Sequence, residues 1–230
     1  MPSPSEGCTV EEALLGRHSV RAFLPRPVPR DQVERLLGLA ARSASNSNIQ
    51  PWHVHVLTGA SKKRLSAAIL EALVAEGRGE GDYPYQPAPD SWLEPFKTRR
   101  RTFGEKLYGE TLGIPATDTE SRELYRRRNY DFFGAPVGLI LTVSRHPQHS
   151  ALIDAGLFLQ ALMLAARSLG LDTCAQASFL DFSPVLRREL DIPDDHMVIC
   201  GVALGHADTT HPLSRQLTSR EPVESLATFH

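Results

Sequence analysis

Three cysteines in 230 residues, Cys8, Cys174 and Cys200, are too few and odd in number for a disulfide framework. None forms a CxxC pair, so a reducing compartment, the cytoplasm, is the simpler setting. Charge of one sign is lacking as well: 25 Lys and Arg stand against 27 Asp and Glu, a net charge of -2. Nucleic acids and anionic membranes call for clustered positive charge, so no partner of either kind is expected. The first residues carry no basic segment followed by an apolar one, hence no signal peptide is expected. The most apolar run, 151–166, is shorter than a membrane span and is interrupted by Asp154 and Gln160; it reads as a buried helix. Catalytic signatures are missing too. There is no GxGxxG after a strand, no GxxxxGK[ST] loop and no GxSxG elbow. His53 with His55, and His146 with His149, have no cysteine or carboxylate at a recurrent spacing beside them, so no metal site is expected. Cys174 and Cys200 lie in apolar segments, where a buried structural thiol is commoner than a nucleophile.

What is present is a regular alternation of elements, with 41% hydrophobic residues to fill a core. Thr9 followed by Glu12 is a capping box that opens a short helix. A proline-rich extended stretch precedes Arg30 to Ala44, where Val33, Leu36, Leu37 and Ala40 repeat at helical spacing. The Ser- and Asn-rich segment 43–52 reads as a loop, 53–57 as a strand and 61–76 as an amphipathic helix. Residues 77–95, dense in Gly, Pro and Asp, form a long surface excursion. Helices are expected over 96–112 and 118–129, a buried strand over 136–144, and a helix over 151–168 that is apolar nearly all round and calls for a partner subunit as cover. Gly170 ends that helix; 172–179 is strand or loop, 183–190 a helix, 196–205 the last strand, and the tail from 207 is polar and extended. The economical reading is one domain over 1–230.

Three segments carry chemistry. In an extended chain Arg17, Ser19 and Arg21 share a side, and two guanidiniums with a hydroxyl suit a phosphate; the same residues also read as a solvated helix terminus. Ser45, Asn46, Ser47, Asn48 and Gln50 could address the edge of a heteroaromatic ring or simply cap their own loop. Arg215 and Arg220 could return to the phosphate from the tail, or be a solvated charged end.

Together and in order, RHSVRAF (17–23), SASNSNIQPW (43–52), FFGAPVGLILTV (132–143), the helix 154–174, LDIPDDHMVICGVALGHAD (190–208) and TSREPV (218–223) resemble the FMN-dependent nitroreductase family over nearly the whole chain. The stretch 83–101 and LGIPATD (112–118) resemble its subgroup acting on nitroaromatic and nitrobenzoate compounds. The resemblance implies an α+β fold with a central, mainly antiparallel sheet flanked by helices, in an intertwined homodimer with FMN at the subunit interface. It implies NADH or NADPH as electron donor, a small aromatic acceptor (nitroaromatic compound or quinone), and ping-pong hydride transfer through flavin N5, with no catalytic residue from the chain. Arg17, Ser19 and Arg220 would hold the phosphate, His18 would pack at the same segment, and Arg21 would reach the N1/O2 edge. Ser45, Asn48 and Gln50 would come from the partner chain. Ala175, Gln176, Ala177 and Ser178 would run beside the ring. Residues 77–130 would form an insertion or lid, in which Tyr83, Tyr85, Trp92 or Phe96 stacks on the substrate or pins the loop. The chain departs from the family pattern at Ala44 and Ala175, where proline is frequent, at Ser47, where glycine is, and at Ser214 and Leu217, where an Asn-x-x-Arg pattern is. The same scaffold also carries flavin reductases, enone reductases and dehalogenases; a non-catalytic flavin-binding protein is a further alternative.

Overall fold

The computed structural model describes residues 8–146, 148–215 and 218–230. Among these residues four antiparallel strands form one sheet: β1 (Trp52–Thr58), β2 (Val137–Ser144), β3 (Asp172–Gln176) and β4 (His196–Gly205), in the order β1-β2-β4-β3. The helices are α1 (Val10–Gly16), α2 (Arg30–Ala40), α3 (Gly59–Ala75), α4 (Phe96–Gly104), α5 (Thr119–Arg127), α6 (Gln148–Ser168) and α7 (Ser183–Leu190). The α+β architecture expected from the sequence is therefore present.

Because strand side chains alternate, β2 is apolar on both faces and each face receives a layer. Val137, Leu139, Leu141 and Val143 turn to α2 and α6, whose Val33, Leu36, Ala40, Phe158 and Leu162 complete one core. Ile140 turns to the other core, with Leu65 and Ile69 of α3 and an aromatic group of Tyr130, Phe132, Phe179 and Phe182. Phe132 and Phe179 stack with centroids 4.7 Å apart. They lie flat on the sheet because the strands beneath them are bare there: a Cβ on Gly138 would fall 2.5 Å from Phe132, and one on Gly201 2.3 Å from Phe179.

The capping box forms with both bonds, Glu12 N–H to Thr9 Oγ1 at 3.2 Å and Thr9 N–H to the Glu12 carboxylate at 2.8 Å. Gly170 ends α6 at φ +69°. Several stretches differ from the sequence reading. α2 stops at Ala40 rather than Ala44, since the Ser43 hydroxyl and amide both take the Ala40 carbonyl and turn the chain. Beyond α4, residues Glu105–Thr111 widen into a π-helical stretch. The tail is not simply extended: it contains 3-10 turns at Pro212–Arg215 and Val223–Ser225.

α6 begins three residues earlier than the sequence suggested, and among the described residues its His149–Ser168 portion is the one helix long and apolar enough to cross a membrane. It packs on α2 and the sheet through Phe158 and Leu162 but is not covered on every side by its own chain. Ile153 and Leu157 are 68% and 45% exposed, and Leu14 and Leu15 of the neighbouring α1 are open as well.

Candidate functional site

The chain from Arg17 to Leu24 runs along β3 and the start of the tail. Ser19 bridges Thr173, the Val20 amide donates to the Thr173 carbonyl at 3.0 Å, and the Leu24 amide donates to His206 O at 2.9 Å. An extended chain held this way keeps Arg17, Ser19 and Arg21 on one side, and the three converge on the Cys174 thiol. Burial pushes that thiol up from its ordinary value, opposed by the Arg21 charge, a hydrogen bond from Ser19 and the Arg17 charge, so it is a floor for the cluster and not a nucleophile. Cys200 is likewise pushed up by burial, to about 12.

Arg220 reaches the same place from the tail. Burial first, and then the charge of Arg220, lowers Arg17 from its ordinary value. Arg220 is held by its own strand of tail, donating to Thr218 Oγ1 at 2.8 Å and Ser219 O at 2.9 Å. Arg21 donates to Ser19 O at 3.2 Å and lies 5.4 Å over the Phe103 ring of α4. Among the described residues, none of these three guanidiniums forms an ion pair with a carboxylate. His18 does a different job: its ring nitrogens sit 3.1 Å from Gly16 O and 2.8 Å from Ser214 O, tying the segment to the Pro212–Arg215 turn. The Arg215 side chain and Leu217 lie outside the described residues.

β3 continues from Cys174 into Ala175 and Gln176 and then a 3-10 turn, Ala177–Phe182, which no side chain caps. Its leading N–H groups are thus available to a ligand. The Gln176 amide donates to Asn129 O at 2.8 Å, which leaves its Oε1, like Ser178 Oγ, buried without a partner. Tyr125 of α5, whose hydroxyl is also buried without a partner, completes the wall; burial raises it to about 12 against the pull of Arg21. Asn129 and Tyr125 had no local sequence signal, because they reach this seam from the far end of the excursion.

The third segment lies elsewhere. Residues Asn46–Asn48 form a 3-10 turn docked on α6 through the Asn46 amide, which donates to Asp154 Oδ1 at 3.1 Å. Ser45 Oγ accepts from the Gln50 amide at 3.1 Å, and the Gln50 side chain donates to Asn48 O at 3.1 Å, so this loop does cap itself. Asn48 and Gln50 are exposed. Ser47, Asn48 and Gln50 all have positive φ, +49°, +58° and +47°. That is the region glycine favours, as the family's frequent glycine at 47 would suggest. Gly16 packs on Arg167 whereas the loop packs on Asp154, 13 residues earlier in the same helix, or about 20 Å along its axis. One chain does not bring Ser45, Asn48 and Gln50 to the arginine cluster.

The excursion is fastened at its start. The Gly79 amide donates to Asp181 O at 3.0 Å, and Asp82 accepts from the Val198 amide at 2.7 Å and from Arg187 at 2.8 Å. Tyr83 is the pin among the four aromatics, its hydroxyl donating to Ile199 O at 3.2 Å. Tyr85 is exposed and stands over a cavity of about 770 Å³ that is also lined by Ala177 and Ser178. Trp92 and Phe96 carry Arg100 and Arg99 on their faces, at 4.9 and 5.8 Å. On the opposite edge of the sheet His53, His55 and His196 gather, with centroids 4.8 Å (His53 to His55) and 6.2 Å (His53 to His196) apart. Burial, then His53 and His196, hold His55 below its ordinary value. Among the described residues no group of three or more His, Cys, Asp or Glu is arranged to hold a metal ion.

Known proteins resemble this chain in sequence and in overall fold. The family model described as "Nitroreductase family" matches residues 14–206. The chain is 53% identical to a 4-nitrobenzoate reductase of Nocardioides sp. (strain LMS-CY), over 93% of this chain and 87% of that protein. It is 40% identical to a nitrobenzene nitroreductase of Ectopseudomonas oleovorans, over 96% of each. The crystal structure of an FMN and NADPH-dependent nitroreductase, NfnB from Sphigopyxis sp. strain HMH, superposes with a TM-score of 0.92 at 34% identity, covering 96% of this chain and 99% of that one. A matching backbone and a chain-long sequence similarity leave one assignment: this chain belongs to the nitroreductase family.

Proposed function

We propose that the chain is an FMN-dependent oxidoreductase that uses NADH or NADPH to reduce nitroaromatic compounds and quinones. The observation that carries this reading is the group of three unpaired guanidiniums at the seam of the N-terminal segment, β3 and the tail, continuing into a turn with orphaned buried polar atoms. The residues fit the cofactor: Arg17, Ser19 and Arg220 bind a phosphate with charge-assisted bonds, His18 positions them, and Arg21 sets a fixed positive charge at the ring's N1/O2 edge, where negative charge develops on reduction. Ala175 to Ser178 would flank the ring, and the uncapped N–H groups of the turn would be free to bond it. FMN, when bound, supplies the hydride-accepting and hydride-donating N5 position. Donor and acceptor then occupy the same ring face in turn, which is ping-pong kinetics.

Ser45, Asn48 and Gln50 join such a site only from a second copy, given the distance along α6, and the open Leu14, Leu15, Ile153 and Leu157 offer the apolar surface for it. The functional unit is therefore a homodimer. Residues 77–130, part of the single unit formed by the chain, act as the lid. The 53% identical 4-nitrobenzoate reductase and the NfnB crystal structure support acceptor and cofactor alike. Anaerobic titration of the purified yellow protein with NADH and NADPH, followed by a nitroaromatic compound and then a quinone, tests the reading: bleaching by the donor and recovery of colour by each acceptor are expected. A protein that binds no FMN, or is yellow and never bleaches, refutes it.

A further inference from the structure

The cavity under Tyr85 has one wall in the Ala177–Ser178 turn and another in arginines of the excursion. Three guanidiniums crowd a single carboxylate there: Glu123 accepts from Arg78 at 2.8 and 3.0 Å, and lies 3.7 Å from Arg126 and 3.8 Å from Arg127. Asp181, 3.6 Å from Arg78, is a second carboxylate on the same guanidinium. Asp82, also in the wall, is already held by Arg187, Arg145 and the Val198 amide, and Glu80 is exposed to solvent. With the residues paired behind the wall, five arginines (Arg78, Arg126, Arg127, Arg145 and Arg187) stand against four carboxylates (Glu80, Asp82, Glu123 and Asp181), an excess of one positive charge. Arg78 is committed to its two-pronged bond with Glu123, but Arg126 touches Glu123 only at 3.7 Å and its side chain is 51% exposed, so it can turn into the cavity. The remaining surface suits a flat ring, with Tyr83 held edge-on to Tyr85 at 6.3 Å.

We propose that this cavity is an anion subsite, in which Arg126, backed by Arg78, receives the carboxylate or phosphate oxyanion of an aromatic reactant whose other end reaches the ring flanked by Ala177 and Ser178. The placing of that ring rests on the flavin reading above; the anion binding does not. Two reactants carry such a group, an aromatic carboxylic acid as acceptor and the 2′-phosphate of NADPH as donor. Arg126 acts as a specificity-determining residue for whichever is held.

Calorimetric titrations of the purified protein, wild type, Arg126→Met and Arg126→Lys, with benzoate, 4-nitrobenzoate, NADPH and NADH test this. Loss of one charge-assisted contact should weaken the anion held by about tenfold in Arg126→Met, with partial recovery in Arg126→Lys. Weakening of both benzoates identifies the acceptor's carboxylate. Weakening of NADPH relative to NADH identifies the donor's phosphate. Unchanged affinities for all four, or a wild-type protein that binds neither benzoate nor NADPH in preference to NADH, overturns the proposal. Anion binding that survives in a colourless protein refutes the flavin reading instead, while a yellow protein that reduces nitrobenzene and fails the titrations refutes only the subsite.

Discussion

The arginine cluster and the Ser45–Gln50 loop sit at opposite ends of α6 and are built in opposite ways. The cluster is closed within one chain: three stretches separated by some 150 and 200 residues are clipped together by backbone bonds, with a buried thiol beneath them. The loop has its backbone strained into positive φ, its Asn48 and Gln50 side chains exposed, and a bond to Asp154 holding it to α6. On the proposed reading, preorganised charge is thus finished within one chain, whereas polar recognition is left for a dimer interface to complete.

The sharpest way to break this contrast is to remove the interface and keep the cluster. Leu157→Glu, on the open face of α6, is expected to give a monomer by sedimentation that retains no FMN through gel filtration, although Arg17 and Arg220 are untouched. Arg17→Ala attacks the other side, and should weaken FMN by about 2 kcal/mol, roughly thirtyfold in a fluorescence titration, without dissociating the dimer. Arg21→Ala is expected to weaken FMN or lower its reduction potential, as read by spectroelectrochemistry; unchanged values of both would refute its assignment. Asn48→Ala, in the loop, should cost about 1 kcal/mol of FMN affinity, a smaller effect because its bond is neutral. Ser47→Gly relaxes a residue at φ +49° and should raise the melting temperature by about 2 °C.

A pH series supplies a control away from both halves. His55 on β1 has its folded value depressed, so the unfolded chain binds more protons as pH falls below the ordinary histidine range. Its contribution is fully present above that range and is lost on acidification. His55→Gln should flatten the denaturation midpoint between pH 7 and 5 and leave FMN binding at pH 8 as it was.

Much of this was legible without coordinates, for reasons that differ by element. The Thr9–Glu12 box and Gly170 announce helix ends by local chemistry, and Arg17, Ser19 and Arg21 declare a shared side by simple alternation. Burial of α6 was legible only in part: its composition demanded cover, and Ile153 and Leu157 show where the chain itself does not provide it. The end of α2 was misplaced because helical periodicity ignores the competing hydroxyl of Ser43. The bond from Gln176 to Asn129 crosses 47 residues, and the charge around Glu123 is assembled from Arg78 as well as its own helix, so no window along the sequence contains either.

One contact constrains how such chains can diverge. With Phe179 lying 2.3 Å from where a Cβ on Gly201 would be, position 201 is not free to gain a side chain alone. A relative that carries alanine or a larger residue at 201 must have given up the aromatic ring at 179, or moved it, in the same lineage, and the same coupling binds Phe132 to Gly138. Paired substitutions at these four sites would trace how the packing beneath the Ala177–Phe182 turn was rebuilt in such chains.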